Sequence, residues 1–168
     1  MLTTDQKGAV AELAIAKAAA DFGIGVWGSL TVERYDLVFD LRPRLVRVQC
    51  KWASGHGDVI TVPCHRNRRN RNGLLRQHYS PEDIDAYAAY CPEVDRCYFL
   101  PIEEFANRIA ILLRLRPTRN NQALRINWAE DYEFAARLGR PGAVAQLGER
   151  RAGSAKVTGS SPVGSITD

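Results

Sequence analysis

No apolar run in this 168-residue sequence is long enough to cross a bilayer, because charged residues interrupt every hydrophobic stretch. Asp5, Lys7 and Glu12 break up the first segment, so we expect no secretory signal peptide. The four cysteines form no CxxC pair, and Cys50 and Cys97 lie in strand-like runs where buried free thiols are common. These absences predict a soluble protein of a reducing compartment.

Motifs for zinc or for a thiol nucleophile are also lacking. The candidate residues are Cys64, His56, His65 and His78. Their spacings match no standard zinc finger. A Cys–His nucleophile built from the same residues has no third group to orient the histidine. Both interpretations are therefore disfavoured.

The length and a hydrophobic content of 45% fit one globular domain. A net charge of +4 and a pI near 9.0 allow a polyanionic partner without requiring one. From Gly139 onward the sequence is rich in Gly, Ala, Ser and Val and has no hydrophobic periodicity. We predict a folded domain over residues 1–138 and a tail over 139–168 with little stable structure.

Helical and strand patterns alternate along the predicted domain. A helix is predicted over 5–22, capped by a preceding threonine, and it places Glu12 on a face of alanines or at the edge of that face. Ser80-Pro81-Glu82-Asp83, followed by apolar residues at helical spacing, predicts a second helix that ends at Pro92. The resulting order α-β-β-β-(β)-α-β-α predicts a mixed α/β fold, with a central mixed sheet and flanking helices.

A hairpin lies at the centre of this order. Two strands are predicted here, over residues 35–41 and 45–52. If the turn at Arg42-Pro43 is symmetric, paired residue numbers sum to 85, so Asp36 lies opposite Gln49. Lys51 lies two residues further along the same face. An acid, an amide and an amine therefore meet on one patch, although a solvated sheet face would show the same residues.

The order Glu12, Asp36, Gln49, Lys51 resembles the active-site motif of the PD-(D/E)xK nucleases, and the predicted elements are similar to their core. Tyr35 stands in place of the usual proline, and Gln49 in place of the usual second acid. Glutamine here is typical of one branch, the group I intron-encoded homing endonucleases that invade bacterial tRNA genes. The resemblance to that branch spans roughly residues 4–134. It includes the later segments 84–87, 98–102, 119–122 and 128–132.

The resemblance implies a Mg²⁺-dependent DNA endonuclease, with Mn²⁺ able to substitute. The catalytic residues would be Glu12, Asp36, Gln49 and Lys51. Cutting a phosphodiester needs a positioned water and neutralisation of the charge that builds up on the phosphoryl oxygens. Mg²⁺ prefers oxygen ligands. Those ligands would be Asp36, Glu12, the amide oxygen of Gln49 and the carbonyl of Cys50. Lys51 would sit beside the attacking water.

The segment from Cys64 to His78 is rich in arginine and asparagine and contains no acid, so it is predicted to be a solvated loop. Arginine suits phosphate and guanine, and asparagine suits adenine. We predict DNA contacts from Arg66, Arg68, Arg69, Arg71 and Arg76, and from a second polar segment at Arg119, Asn120 and Gln122. Double-stranded DNA as substrate implies a homodimer or tetramer. The expected location is the bacterial cytoplasm, at the nucleoid when bound to DNA, with no membrane partner.

The codons of the tail provide a second indication of a tRNA gene. The codons of residues 157–162 permit GGTTCAAGCCC, the pattern of a TΨC arm. The codons of residues 145–149 permit GCTCAGCTGGGAGAG, the pattern of a D arm. We hypothesise that the reading frame runs into an adjoining tRNA gene.

Two alternatives stay open. A Holliday-junction or repair nuclease on the same core would recognise DNA shape and not sequence. A catalytically inactive nucleic-acid-binding module would carry Gln49 as a mark of lost metal affinity.

Overall fold

The computed structural model describes residues 1–70, 73–117 and 126–139, and for 66–70 and 73–76 it describes only the backbone. The strands are β1 Gly25–Gly28, β2 Leu37–Asp40, β3 Leu45–Trp52, β4 Ser54–His56, β5 Val59–Pro63, β6 His65–Asn70, β7 Gly73–His78, β8 Ala86–Cys91, β9 Arg96–Pro101 and β10 Ala110–Arg114. The helices are α1 Thr4–Asp21, α2 Ile102–Phe105 and α3 Phe134–Leu138, with a 3₁₀ turn at Ala129–Tyr132. Over these described ranges, no helix has the length and apolar content needed to span a membrane.

The central sheet has five strands in the order β1-β2-β3-β8-β9. Strands β3 and β8 run parallel, and every other neighbouring pair in this sheet is antiparallel. Helix α1 packs on one face of the sheet, and a three-stranded sheet in the order β10-β5-β4 packs on the other. The predicted mixed α/β class with a central mixed sheet is confirmed.

Helix α1 begins with a capping box. The Thr3 hydroxyl accepts from the Gln6 amide at 3.2 Å, and the Gln6 side chain accepts from the Thr3 amide at 2.9 Å. The buried stripe of the helix consists of Ala11, Ile15 and Ala19. The predicted face of alanines around Glu12 is therefore not the packed face. Glu12 lies at the edge of the buried stripe and is exposed to solvent.

The β2–β3 hairpin has the predicted register. Leu37 pairs with Val48 and Asp40 with Leu45, so paired residue numbers sum to 85. The amide of Asp36 donates to the carbonyl of Val48 at 2.9 Å, which continues the pairing one residue before β2 begins. The side chains of β3 that pack against α1 alternate with those that point away from it.

The predicted helix at 80–91 is wrong. Residues Ser80 and Asp83 form a single turn, in which the amide of Asp83 donates to the carbonyl of Ser80 at 2.9 Å, and the chain then enters β8. Strand β8 is buried on both faces, with Ala86 and Ala88 in one core and Tyr87 and Ala89 in the other. A strand buried on both sides loses its alternation of polar and apolar residues, so its pattern can be mistaken for that of a helix.

The segment predicted to be a loop between Cys64 and His78 is instead the antiparallel hairpin of β6 and β7. Its register runs from His65 opposite His78 to Asn70 opposite Gly73. Backbone hydrogen bonds form this ladder whatever side chains the strands carry, which is why polar composition alone gave the wrong prediction.

Replacing Ile15 with alanine should lower the free energy of unfolding by about 2–5 kcal/mol, because its side chain is fully buried between α1 and the sheet. Leu13 on the same helix is 72% exposed and provides a matched control, for which we expect a change within about 0.5 kcal/mol. Urea denaturation measures both. Equal losses in the two variants would contradict the packing described for α1.

Candidate active site

The four predicted catalytic residues line one cleft of ≈ 330 Å³ beside β3, the middle strand of the central sheet. The lining residues are Glu12, Ser29, Thr31, Val32, Glu33, Tyr35, Asp36, Gln49, Lys51 and Tyr79. Asp36 precedes β2, Gln49 and Lys51 belong to β3, and Glu12 reaches the cleft from α1. The β2–β3 register and the edge position of Glu12 therefore bring together residues up to 39 positions apart (51 − 12).

Asp36 is held by the strand opposite it. Its Oδ2 accepts from the backbone amide of Cys50 at 2.7 Å and from the side-chain amide of Gln49. Two N–H donors orient the carboxylate across the hairpin. The carboxylate is half-buried, so part of it faces the cleft.

Gln49 presents its amide nitrogen to the acid. Besides Asp36, the nitrogen approaches the carbonyl oxygen of Cys50 at 3.4 Å. The predicted role of Gln49 as a metal ligand needs the amide oxygen at this place, which requires the amide to rotate by about 180°. Because the oxygen and the NH₂ group of an amide have nearly the same size, the rotated amide fits in the same space.

Lys51 points away from α1, as the alternation along β3 requires. Its Nζ donates to the carbonyl of His65 at 3.3 Å and lies 4.8 Å from the ring centroid of Tyr79. The ammonium therefore lies between the cleft and the base of the β6–β7 hairpin.

Burial and the two neighbouring carboxylates raise the pKa values of acidic groups at the cleft. Partial burial raises the pKa of Glu12 above its ordinary value of 4.5, and the neighbouring charge of Asp36 raises it further. Burial also raises the pKa of the Cys50 thiol well above its ordinary value, and Asp36 and Glu12 add to the effect. The raised pKa favours the protonated thiol at neutral pH. Cys50 itself does not line the cleft, so the predicted ligand role of its carbonyl stays a prediction.

The donor atoms of the cleft fit a hard divalent cation. The carboxylates of Glu12 and Asp36 supply oxygen, the ligand atom that Mg²⁺ and Mn²⁺ prefer, and Gln49 would add an amide oxygen after rotation. Within the described ranges, no group of three or more His, Cys, Asp or Glu side chains could hold a metal ion. A cation in this cleft would thus depend on few protein ligands and on water or phosphate oxygens.

The sequence analysis missed Tyr79, which lines the cleft, and Arg34, which packs against the Tyr79 ring. The Arg34 guanidinium forms a double hydrogen bond with Asp83, at 2.9 and 2.7 Å, and its carbon lies 5.5 Å from the centroid of the Tyr79 ring. This pair lowers the pKa of Asp83, mainly through the hydrogen bond from Arg34. No spacing in the sequence signals a contact between positions 34 and 83, which are 49 residues apart.

The predicted DNA-contacting residues can be located only in part. The backbone of Arg66, Arg68 and Arg69 lies in β6, and that of Arg76 in β7. Residues 71, 119, 120 and 122 lie outside the described part of the chain, as do residues 140–168 of the predicted tail. Their roles stay predictions.

Comparisons with known proteins agree with this geometry. Residues 2–135 match the model of the PD-(D/E)XK endonuclease family. The chain belongs to this family. Among solved structures, a bacterial homing endonuclease, I-Ssp6803I, matches with a TM-score of 0.65 and 28% identity, over 90% of this chain and 98% of that one. No curated protein sequence matches the chain significantly.

Replacing Glu12 with glutamine should stabilise this PD-(D/E)XK endonuclease at pH 7 in the presence of a chelator. The pKa of Glu12 is higher in the folded state than in the unfolded state, so its ionised form opposes folding at any pH above the folded value. Because the carboxyl is partly exposed, the gain should stay below about 1 kcal/mol. It should vanish below the ordinary pKa of 4.5, where both states are protonated.

Urea denaturation at pH 7 and pH 4 measures this effect. Glu130→Gln, which neutralises an exposed carboxyl outside the cleft, is the control and should change little at either pH. A Glu12→Gln variant that is less stable than the parent at pH 7 would show that the carboxylate is favourably paired.

Proposed function

We propose that this endonuclease hydrolyses double-stranded DNA at a specific site with the help of a divalent metal, and that it is a homing endonuclease whose target is a tRNA gene. The observation that carries the proposal is the convergence of Glu12, Asp36, Gln49 and Lys51 on one cleft. The family supports nuclease chemistry, and the structural similarity to a bacterial homing endonuclease supports the homing function.

Each residue has a role that follows from its chemistry. The residues that would hold the ion are Asp36, Glu12, the rotated amide of Gln49 and the carbonyl of Cys50. When bound, Mg²⁺ or Mn²⁺ supplies charge neutralisation at the scissile phosphate and lowers the pKa of a coordinated water. Lys51 places a positive charge in the same cleft, where it stabilises the negative charge that develops on the phosphoryl oxygens.

Gln49 makes the site weaker for cations than a second acid would. A neutral amide contributes an oxygen but no charge, so attraction to a divalent ion falls while the oxygen count stays the same. We infer that the ion binds together with DNA, whose phosphate oxygens supply the missing negative charge.

DNA contact is assigned to the polar segments. The residues are Arg66, Arg68, Arg69, Arg71 and Arg76 around the β6–β7 hairpin, with Arg119, Asn120 and Gln122 as a second set. A two-stranded ribbon is narrow enough to enter the major groove of B-DNA, so a hairpin is better suited to base contact than the predicted loop. Cutting both strands of a symmetric site calls for a homodimer or tetramer.

Two observations on the sequence support the tRNA-gene target. Glutamine at position 49 resembles the branch of homing endonucleases that invade tRNA genes. The codons available to residues 145–149 and 157–162 fit the arms of a tRNA gene. Genomic sequence lacking tRNA-like DNA under these codons would remove the second support.

Purified protein with Mg²⁺ should cut a plasmid that carries the intronless tRNA gene and should leave a plasmid with a random insert intact. Asp36→Asn and Lys51→Ala should each lower the cutting rate by about 10²–10³-fold while DNA binding persists, because both act on the reaction and not on the duplex. Agarose gels measure cutting, and gel shifts measure binding.

The other outcomes of this assay separate the alternatives. Cutting of a cruciform plasmid would favour a Holliday-junction nuclease. Binding without cutting in Mg²⁺ or Mn²⁺ would favour an inactive module, which the neutral Gln49 also suggests. Equal cutting by the parent and the two variants would show that neither Asp36 nor Lys51 takes part in catalysis.

Replacing Arg66, Arg68, Arg69 and Arg71 together with alanine should weaken DNA binding and flatten its salt dependence. Each lost phosphate contact lowers the slope of log K against log salt by about 0.9. Arg42→Ala provides the control, because the Arg42 side chain is 91% exposed in the β2–β3 turn and pairs with Asp40. Fluorescence anisotropy at several salt concentrations measures the slope. An unchanged slope in the quadruple variant would show that the phosphate contacts lie on another surface.

A further inference from the structure

Three groups converge on the ring of Tyr79. The Nζ of Lys51 lies 4.8 Å from the ring centroid, and the guanidinium carbon of Arg34 lies 5.5 Å from it. The ring of Tyr87 meets it edge-on, at a centroid distance of 5.8 Å and an interplanar angle of 88°. An aromatic face attracts cations because its π electrons carry negative charge. Tyr79 therefore contacts the proposed catalytic lysine with the part of its side chain that attracts an ammonium.

The Tyr79 ring is fixed in place. It is 4% exposed. Tyr87 contacts it from the central sheet and donates its own hydroxyl to the carbonyl of Cys64 at 3.3 Å. Arg34 is in turn held by the double hydrogen bond to Asp83. A side chain held by neighbours on different strands and turns is a rigid support, unlike the flexible four-carbon stem of a lysine.

The second support of Lys51 comes from the same structural unit. Its Nζ donates to the carbonyl of His65, the first residue of β6. His65 pairs with His78, the last residue of β7, and Tyr79 follows directly. The two groups that hold the ammonium thus lie at the two ends of one hairpin.

We propose that Tyr79 is a positioning residue for Lys51, and that the base of the β6–β7 hairpin sets where the lysine ammonium lies in the cleft. This inference rests on the proposed function, in which Lys51 stabilises charge on the scissile phosphate and the hairpin contacts DNA. Because the Tyr79 ring is fixed, a movement of the hairpin on DNA shifts the His65 carbonyl relative to that ring and so displaces the ammonium. Recognition by the hairpin is thereby linked mechanically to cutting.

Tyr79→Leu should lower the single-turnover cutting rate by about 10- to 100-fold with unchanged DNA affinity, because a displaced catalytic group costs rate and not binding. Tyr79→Phe keeps the ring and should retain nearly full activity. Tyr132→Leu is the matched control: Tyr132 is also buried and its ring lies 4.4 Å from the guanidinium carbon of Arg137, but it does not line the cleft. Its cutting rate should equal that of the parent.

A double substitution separates positioning from a general loss of structure. In the Lys51→Ala background, Tyr79→Leu should cause no further loss of rate, because the group it positions is absent. A further loss of the same size as in the parent would overturn the proposal. Should Tyr79→Leu fail to fold, phenylalanines of increasing fluorination at position 79 keep the shape and weaken the attraction to a cation. The rate should then fall with each added fluorine, and a constant rate would also overturn the proposal.

Cutting by the parent protein separates a failure of the positioning role from a failure of the nuclease function. If the parent cuts DNA and every Tyr79 variant cuts equally well, the positioning role is wrong and the nuclease function stands. If the parent cuts neither the tRNA-gene plasmid nor any other DNA in Mg²⁺ or Mn²⁺, the proposed function itself fails.

Discussion

The site depends on the way the backbone of β3 captures the carboxylate of Asp36. The Cys50 amide donates to that carboxylate at 2.7 Å, and this is possible only in the register that pairs Leu37 with Val48. A shift of one residue would move Gln49 and Lys51 to the α1 face and bury two polar side chains in an apolar core. The hydrophobic alternation of β3 therefore fixes the chemistry at the cleft, since the same register that buries Val46 and Val48 exposes the proposed catalytic face.

Glutamine at position 49 changes the balance between stability and metal affinity. Without a cation, burial raises the pKa of Glu12, and repulsion from the charge of Asp36 raises it further. A third carboxylate would add to this repulsion in the free protein, whereas the amide of Gln49 instead donates a hydrogen bond to Asp36. Compared with an acid at position 49, glutamine should therefore stabilise the free protein and lower the affinity of the proposed site for a cation. Such a site gains most from a ligand that brings its own negative charge, as a phosphodiester does.

Short-range sequence patterns correctly predicted the elements whose structure is determined by neighbouring residues. Turn arithmetic gave the β2–β3 register, and capping gave the start of α1. The pattern failed at β8, where burial on both faces removes the periodicity of a strand, and at the β6–β7 hairpin, where the backbone ladder outweighs polar composition. The contacts of Tyr79 could not be predicted from the sequence either. Its partners Lys51 and Arg34 are 28 and 45 positions away (79 − 51 and 79 − 34), and their proximity depends on the placement of β8 and the hairpin.

A nuclease that acts at one site in a genome must suppress cutting at the many other sequences it touches. Discrimination by binding alone is limited, and it improves when the correct sequence also completes the catalytic arrangement. The placement of Lys51 offers a physical route to this result. Its ammonium contacts the His65 carbonyl and the Tyr79 ring, which lie where the two strands of the proposed recognition hairpin begin and end. If a hairpin that fits its target places the lysine against the phosphate and a poorly fitted one does not, specificity arises in the rate of cutting as well as in affinity.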